Sequence, residues 1–506
     1  MFKKMVLLVD KIKLRQLLKI PVRYKNPDHH WSVLKKKKSQ TDKALKHFDE
    51  FYSTVYGNNW EHIRAALLNE RHKYVAVVNN FSDTDIIRSE LELLGAVHLK
   101  SLYEVHKENA ERYKIIKESQ NLNESDNFNE SVSDLVTKAH LAKLESIYPE
   151  DHPHLHELLK SEDTKSHTKD SGPQEIKLHS IEQELNDVQI DHSRVVDSNV
   201  NLSLLQEYIP ATKIKGLDDW VLESDQFKFY TQAQDFKIEV VKESTLSFPE
   251  HLHVYTFEGG NFTKFPHPPL GPTGVRDYYL FDGASILPVL ALDIQPGDVV
   301  LDMCAAPGGK ALAIIQTLYP RLIVANDNKR ARVKRIEEAI AQFLSDMAES
   351  QKMVVVTEKD GRIIDEKNVY NKILVDVPCT TDRHSLHSND NNIFKPSRIK
   401  ERLQLPQIQT EILTNALKLV TVGGTVVYST CTLSPIQNDG VVQVALKKAW
   451  EEAGCVMVVK DMSEPLLPFQ CVYNFGKIDL KYGHIVVPSL NNNWGPMYFC
   501  KMVKVR

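Results

Sequence analysis

Cysteine is scarce in this chain and unevenly placed. Six occur among 506 residues, at Cys304, Cys379, Cys431, Cys455, Cys471 and Cys500, so the first three-fifths of the sequence has none. They form no CxxC pair and no repeated spacing, which argues against a disulfide framework or a structural zinc and for a reducing compartment. Long apolar runs are missing too. No stretch reaches the roughly 18 apolar residues that a membrane-spanning helix requires, so no membrane association is expected. Two nucleotide-binding signatures are also absent: neither the phosphate loop GxxxxGK(S/T) nor the dinucleotide turn GxGxxG occurs. What remains is a chain with 42% hydrophobic residues, long enough for roughly two to four packed domains.

Its charge is distributed by segment. The first 25 residues carry eight Lys or Arg against one acid, Asp10, and Leu7, Leu14, Leu17 and Leu18 can share a helical face. That pattern fits an amphipathic organelle-import presequence, Lys-rich rather than Arg-rich and without serine; a basic surface helix fits it as well, and "KKKK" at 35–38 also permits a nuclear signal. Residues 121–200 hold 17 acids, 7 bases and 7 histidines with few aromatics, a composition that cannot bury enough surface to fold alone. They read as a disordered insert. The histidines of "HPHLH" (His152 to His156) have no partners at ligand spacing, and no metal site is expected there. Without the insert the net charge changes from −4 to +6, and the remainder suits a polyanionic partner.

Two kinds of folded text flank the insert. Residues 41–115 alternate helical patterns ("KALKHFDEFYSTVYG", "NWEHIRAALL") with one strand-like run, "KYVAVVNNF". From Gly297 the apolar runs "DVVLDMCAA", "RLIVAND", "KMVVVTEKDG", "NKILVDVPC" and "GGTVVYSTC" alternate with helical segments, which predicts an α/β fold with a doubly wound, mostly parallel sheet. Ligands of such sheets bind at the carboxyl ends of the strands. The first run ends in "CAAPGGK", whose glycines permit close backbone approach and whose following helix offers free N–H groups. The next three end in Asp327, in Asp360 with Gly361, and in Asp376. An acid after the second strand can take both ribose hydroxyls, and one after the third can bond an adenine amino group. The row of acids implies a cofactor containing a nucleoside.

"DMCAAPGGK", "DVPCT" and "YSTCTL", in this order and spacing, resemble the Sun-domain RNA cytosine-5 methyltransferases over roughly residues 205–506. "IPATKIKG" (Ile209 to Gly216), "DVPCTTDRHSLH" and "WGPMYFCKM" are most similar to the mitochondrial ribosomal-RNA branch of that family. The resemblance implies a Rossmann-like methyltransferase fold with a smaller N-terminal α/β region. It also implies S-adenosylmethionine held by Gly308, Gly309, Lys310, Asp327, Arg332, Asp360, Gly361 and Asp376. The segments are then a presequence and basic leader (1–40), a small N-terminal region (41–120), the acidic insert (121–200), the N-terminal part of the methyltransferase module (201–296) and the catalytic domain (297–506). Where family members commonly carry Gln-Asp ahead of the first strand, this chain has Phe281-Asp282-Gly283-Ala284-Ser285, which bears on the substrate side.

Carbon 5 of cytosine is too weak a nucleophile to attack a methyl sulfonium unaided. A thiolate adding at carbon 6 loads electron density onto carbon 5, and a neutral carboxyl near N3 eases the addition. Asp376, three residues before Cys379, is the candidate acid, with Lys310 to orient it. Spacing leaves Cys379 and Cys431 as competitors for the attack. The resemblance assigns the covalent adduct to Cys431 and the elimination that frees product to Cys379. It further implies mitochondrial small-subunit rRNA as substrate, action in the mitochondrial matrix in support of ribosome assembly, and a helical-repeat partner of the transcription-terminator type. The base must leave its stack to meet the thiol. "NKRARVKR" and "KPSRIKER" can guide the RNA backbone or be solvated helix faces, and "TTDRHSLH" is expected as a loop over the pocket, with Arg383 facing phosphate or a loop carboxylate. A ribosome-assembly scaffold and a small-molecule methyltransferase are the alternatives; the second leaves the paired cysteines unexplained.

Overall fold

A computed structural model of the chain describes residues 39–120, 237–344, 353–476 and 480–506. Residues 1–38 of the basic leader, the acidic insert with His152 to His156, and Ile209 to Gly216 lie outside these residues.

Ser39 caps the first helix, α1 (Gln40–Tyr56). Its hydroxyl accepts from the Asp42 N–H while the Asp42 carboxylate accepts from the Ser39 N–H, so two donors at the helix start are satisfied reciprocally. Ala44, Phe48, Phe51, Tyr52 and Tyr56 make one buried stripe. Phe48 stacks on Tyr52 with centroids 5.1 Å apart and meets Phe394 edge-on at 5.3 Å. α2 (Asn59–Leu68) adds Trp60, whose ring lies 5.2 Å from Tyr52.

β1 (Val75–Val78), α3 (Thr84–Leu93), β2 (Val97–His98) and α4 (Leu99–Gln120) complete the segment before the insert. After it, β3 (Val240–Lys242) runs to the edge of the large sheet, whereas β4 (Val254–Thr256) and β5 (Tyr278–Phe281) return to β1. The result is an antiparallel sheet of order β2-β4-β1-β5, in which Ala76 pairs with Tyr255 on one side and Leu280 on the other. Residues from both sides of the insert therefore share one small sheet.

The large sheet carries the periodic half of the sequence. β6 (Val299–Asp302), β7 (Leu322–Asn326), β8 (Val354–Thr357), β9 (Tyr370–Asp376) and β10 (Val420–Thr430) fall on the five apolar runs. They are parallel, in the order β8-β7-β6-β9-β10. α5 (Ile286–Ala291) precedes β6, α6 (Gly309–Ile315) and α7 (Arg330–Phe343) connect the β7 side, and α8 (Asp382–His387) and α9 (Ile399–Leu419) connect β9 to β10. α10 (Val441–Ala453) leads to β11 (Met457–Asp461), β12 (His484–Val486) and β13 (Met497–Lys504). β13 lies antiparallel between β10 and β11, and β3 closes the edge parallel to β11. The direction of winding reverses between β6 and β9, which places the ligand crevice of a doubly wound sheet at their carboxyl ends.

Alternation along the strands divides the core. Ile373 and Val375 share a cluster with Leu301, Tyr428 and residues of α1, α9 and α10, while Leu374 joins Val300, Val427 and residues of α5 and α6. Each such buried side chain contributes about 1.5–3 kcal/mol, and a one-residue slip would exchange the two sets, so register is strongly fixed. α1 belongs to the same core as β9 and β10. No helix among the described residues is long and apolar enough to cross a membrane.

One local expectation changes. The segment after Cys379 is a helix, α8, rather than a loop: the Ser385 hydroxyl donates to the Thr380 carbonyl at 2.7 Å, and Asp382 and Ser385 are buried. Arg383 donates to the carbonyls of Gly495 (2.9 Å) and Asn493 (3.1 Å), so its guanidinium fastens this helix to the C-terminal "NWGPM" segment.

Candidate active site

The carboxyl ends of β6, β7, β9 and β10 bring the sequence-derived residues together. After β6 the chain turns through Gly308, whose φ of +111° only glycine adopts readily, and enters α6. Gly309 and Gly361 are required for a different reason: a Cβ on Gly309 would stand 2.8 Å from the Phe281 ring, and one on Gly361 would stand 3.0 Å from Met303 Cγ. Close protein packing accounts for both, beside any approach of a ligand. Gly308→Ala is expected to lower stability by about 1–3 kcal/mol, since φ is strained and the new methyl also meets Ala339 Cβ at 3.2 Å; a urea unfolding midpoint reads it.

Asp327, buried, accepts from the Lys329 N–H through Oδ1 at 3.2 Å. Its Oδ2 has no hydrogen-bond partner and faces Arg332 at 3.3 Å. Arg332 also donates to the Ala306 carbonyl at 2.9 Å, tying the end of β7 to the glycine turn. Asp360 is engaged by Arg362, 2.7 Å from its Oδ2, and Arg362 reaches on to Glu411 at 3.1 Å. The Arg362 hydrogen bonds hold the Asp360 carboxyl below its usual range. A buried carboxylate oxygen without a hydrogen bond, that of Asp327 beside the glycine turn, fits a nucleoside cofactor, whereas both oxygens of Asp360, one strand further on, are already engaged by the Arg362 N–H and guanidinium.

The reactive end is tighter. Lys310 Nζ lies 2.7 Å from Asp376 Oδ2, and the Ser429 hydroxyl donates to Asp376 Oδ1 at 2.8 Å. Burial pulls the Lys310 pKa down, but the Asp376 charge and hydrogen bond outweigh it and leave the amine raised. Asp302, at the end of β6 and fully buried, meets no hydrogen-bonding side chain. Burial, and then the neighbouring Asp376 charge, push it up to about 8. Cys379 Sγ and Cys431 Sγ are 3.2 Å apart. The Cys379 contact, followed by burial, raises Cys431 well above an ordinary thiol. Cys304 packs against the core, and burial likewise raises its thiol.

Sequence reasoning passed over several of these groups. Asp302 was legible as the acid of "LDMCAA", and Ser429 directly precedes the "TC" of "YSTCTL", but neither residue type stands out without neighbours. Asn326, wholly buried, accepts from Thr357 Oγ1 (2.8 Å) and the Lys359 N–H (2.9 Å), and donates to the carbonyls of Met303 and Lys359 at 3.0 and 2.9 Å. It holds three strand ends in register, a task with no sequence signature.

A doubly wound sheet with a nucleoside-fitting row of acids and two touching thiols at adjacent strand ends defines a nucleobase methyltransferase. Residues 289–467 match the family described as 16S rRNA methyltransferase RsmB/F. The chain is 33% identical over 496 residues to the 5-cytosine rRNA methyltransferase nsun-4 of Caenorhabditis elegans, covering 96% of this chain and 97% of that one. It is 34% identical over 465 residues to the 5-cytosine rRNA methyltransferase NSUN4 of Xenopus laevis, covering 92% and 90% respectively. The mitochondrial tRNA (cytosine(34)-C(5))-methyltransferase of Mus musculus is 37% identical over 232 residues, covering 46% of this chain and 64% of the relative. The chain belongs to the family of 5-cytosine rRNA methyltransferases.

Proposed function

We propose that this protein methylates carbon 5 of a cytosine in the small-subunit rRNA of mitochondria, through a covalent bond between Cys431 and carbon 6 of the base. The observation that carries this reading is the pair of thiols 3.2 Å apart beside the Lys310–Asp376 pair. S-adenosylmethionine, when bound, supplies an electrophilic methyl group; Gly308, Gly309, Lys310, Asp327, Arg332, Asp360, Gly361 and Asp376 are its holders. Cys431, as thiolate, adds to carbon 6, and Asp376, carrying a proton for this step, gives it to N3 so that the added electron pair is taken up there. Lys310 keeps Asp376 in place and balances its charge once the proton has been given up. Once carbon 5 carries the methyl group, Cys379 assists release by taking the carbon-5 proton; the freed electron pair restores the carbon 5–carbon 6 double bond and Cys431 leaves as thiolate. A buried, apolar surround strengthens each of these charge interactions.

The matrix address is supported by the Lys-rich amphipathic leader and by the similarity to a relative whose name includes "mitochondrial". A helical-repeat protein of the transcription-terminator type is the partner that the family resemblance supplies, adding grip on RNA. Bisulfite sequencing of mitochondrial and cytosolic RNA, with and without the protein, is the direct test. One cytosine in small-subunit rRNA should lose its protection in the protein's absence. Loss confined to tRNA, or to cytosolic RNA, would sink the substrate assignment.

Residues 121–200 are proposed to be dispensable for chemistry. Their net charge of −10 repels RNA at a distance. Deleting them should leave turnover within about twofold and tighten RNA binding at low salt, an effect that 0.5 M salt screens away. Loss of activity on naked RNA in the deletion protein would contradict this.

A further inference from the structure

We propose that α1, which precedes the methyltransferase sheet and lies outside the family match at 289–467, is part of the catalytic apparatus, with Tyr52 and Asp382 as positioning residues that hold the Cys379 and Cys431 loops together. The inference rests on the cysteine roles given above for its effect on turnover, but its geometry stands apart from them. Each cysteine is followed by a threonine, Thr380 after Cys379 and Thr432 after Cys431, and both threonines are fully buried. Thr380 Oγ1 lies 2.7 Å from Thr432 Oγ1 and 2.7 Å from Asp382 Oδ1. Asp382 Oδ2 accepts from the Leu433 N–H on the Cys431 loop and from the Tyr52 hydroxyl, each at 2.8 Å. The Tyr52 hydroxyl is also 3.2 Å from Thr432 Oγ1. One helical turn on, the Tyr56 hydroxyl donates to the Leu433 carbonyl at 2.7 Å.

Both loops thus converge on one carboxylate, and a phenol from a distant helix completes its donor set. Asp382, Thr380 and Thr432 have no solvent exposure and Tyr52 has 1%. A buried carboxylate missing a donor draws its remaining partners elsewhere, because it has no water to replace the lost bond. The partners here are the residues adjoining the two cysteines, so the loss is transmitted to the Sγ–Sγ separation. Product release is the step that needs both cysteines, and it is the step a small displacement slows most. The stacked Phe48 and the edge-on Trp60 hold the Tyr52 ring independently of its hydroxyl, so Tyr52→Phe removes the donor and keeps the packing.

Two readouts on the full-length protein test this. The first is geometric and needs no RNA: diamide takes one hydrogen from each of two thiols to become a hydrazine, leaving a disulfide, and peptide mass spectrometry follows the Cys379–Cys431 bond. Tyr52→Phe should slow its formation about tenfold, as expected when paired groups lose alignment. Thr432→Val should share the effect, and Thr432→Ser should restore the wild-type rate. The second readout is the fraction of protein trapped on RNA during turnover, which should rise in Tyr52→Phe with the KM for S-adenosylmethionine unchanged. Wild-type disulfide rates in Tyr52→Phe and Thr432→Val overturn the proposal, whatever the cysteines do in catalysis. A slowed disulfide with no trapping in Tyr52→Phe or in a Cys379→Ala control upholds the positioning and overturns the cysteine roles instead.

Discussion

Cys431→Ala should lose methyl transfer to cytosine-bearing RNA by about 10³-fold or more, because no other group at the β10 end can add to carbon 6. Cys379→Ala should behave differently. Addition and methylation proceed, release stalls, and an RNA–protein complex stable to denaturing gel electrophoresis accumulates. The same pair sets a pH dependence. The contact with Cys379, ahead of burial, is the larger reason that Cys431 holds its proton in the free protein. A thiol with a raised pKa is protonated at neutral pH, so alkylation of Cys431 by iodoacetamide should quicken as pH rises through 7 to 9. Removing Cys379 should lower the Cys431 pKa and shift that rise toward neutral pH. Trapping in Cys431→Ala with free turnover in Cys379→Ala would reverse the roles. Alkylation of Cys431 that ignores both pH and Cys379 would show that the 3.2 Å contact does not govern its proton.

The residues proposed to meet a ligand were legible in the sequence as candidates, and the residues that answer to each other were not. Asp327, Asp376, Cys379 and Cys431 stand at the ends of apolar runs, and a parallel sheet gathers such ends in one crevice. Run boundaries were therefore enough to find them. Tyr52 and Asp382 are 330 residues apart, and their hydrogen bond exists because α1 packs against α8, a tertiary contact with no local signal. Its trace in the sequence is the aromatic spacing Phe48, Tyr52, Tyr56, which on its own reads as a core stripe. Arg383 illustrates the converse. An arginine after "PCTTD" suggests a phosphate contact, but once α8 forms, its Nε and Nη2 are taken by the Gly495 and Asn493 carbonyls, while its Nη1 is buried without a hydrogen-bond partner.

The small N-terminal sheet was illegible for another reason. β1 reads as a strand, but its partners β4 and β5 lie beyond the insert and are three and four residues long. Strands so short carry no clear periodicity. Pairing with β1 and burial of Tyr255, Val254 and Tyr278 define them, so the sheet is set by its long-range contacts.

Lys310→Met carries the second large expected effect, and it separates stability from catalysis. Lys310 is the cation among three acids: 2.7 Å from Asp376, and acting to lower Asp302, which Asp376 and Asp327 raise. Methionine keeps the length and apolar stem of lysine, so the loss is chiefly of charge. With the Lys310 and Asp376 side chains 10% and 29% exposed, breaking the pair should cost about 2–3 kcal/mol, toward the lower end for a buried pair because solvent screens part of it. The sign with pH follows from Asp302. Its folded-state value near 8 lies above the unfolded value of 3.8, so its contribution is full below about pH 4 and is lost as pH rises toward 8. Without Lys310 that folded value rises further and the loss continues to higher pH, while the Asp376 carboxylate faces Asp302 uncompensated. The variant should therefore lie closer to wild type at pH 6 than at pH 9, as read by urea unfolding at the two pH values. Turnover at pH 7.5 should fall by about 10²-fold or more, because Asp376 loses the contact that aims it and the charge that balances it. Equal destabilisation at both pH values would mean that packing, rather than charge, is what Lys310 contributes. Wild-type turnover in a folded Lys310→Met protein would remove Lys310 from the site.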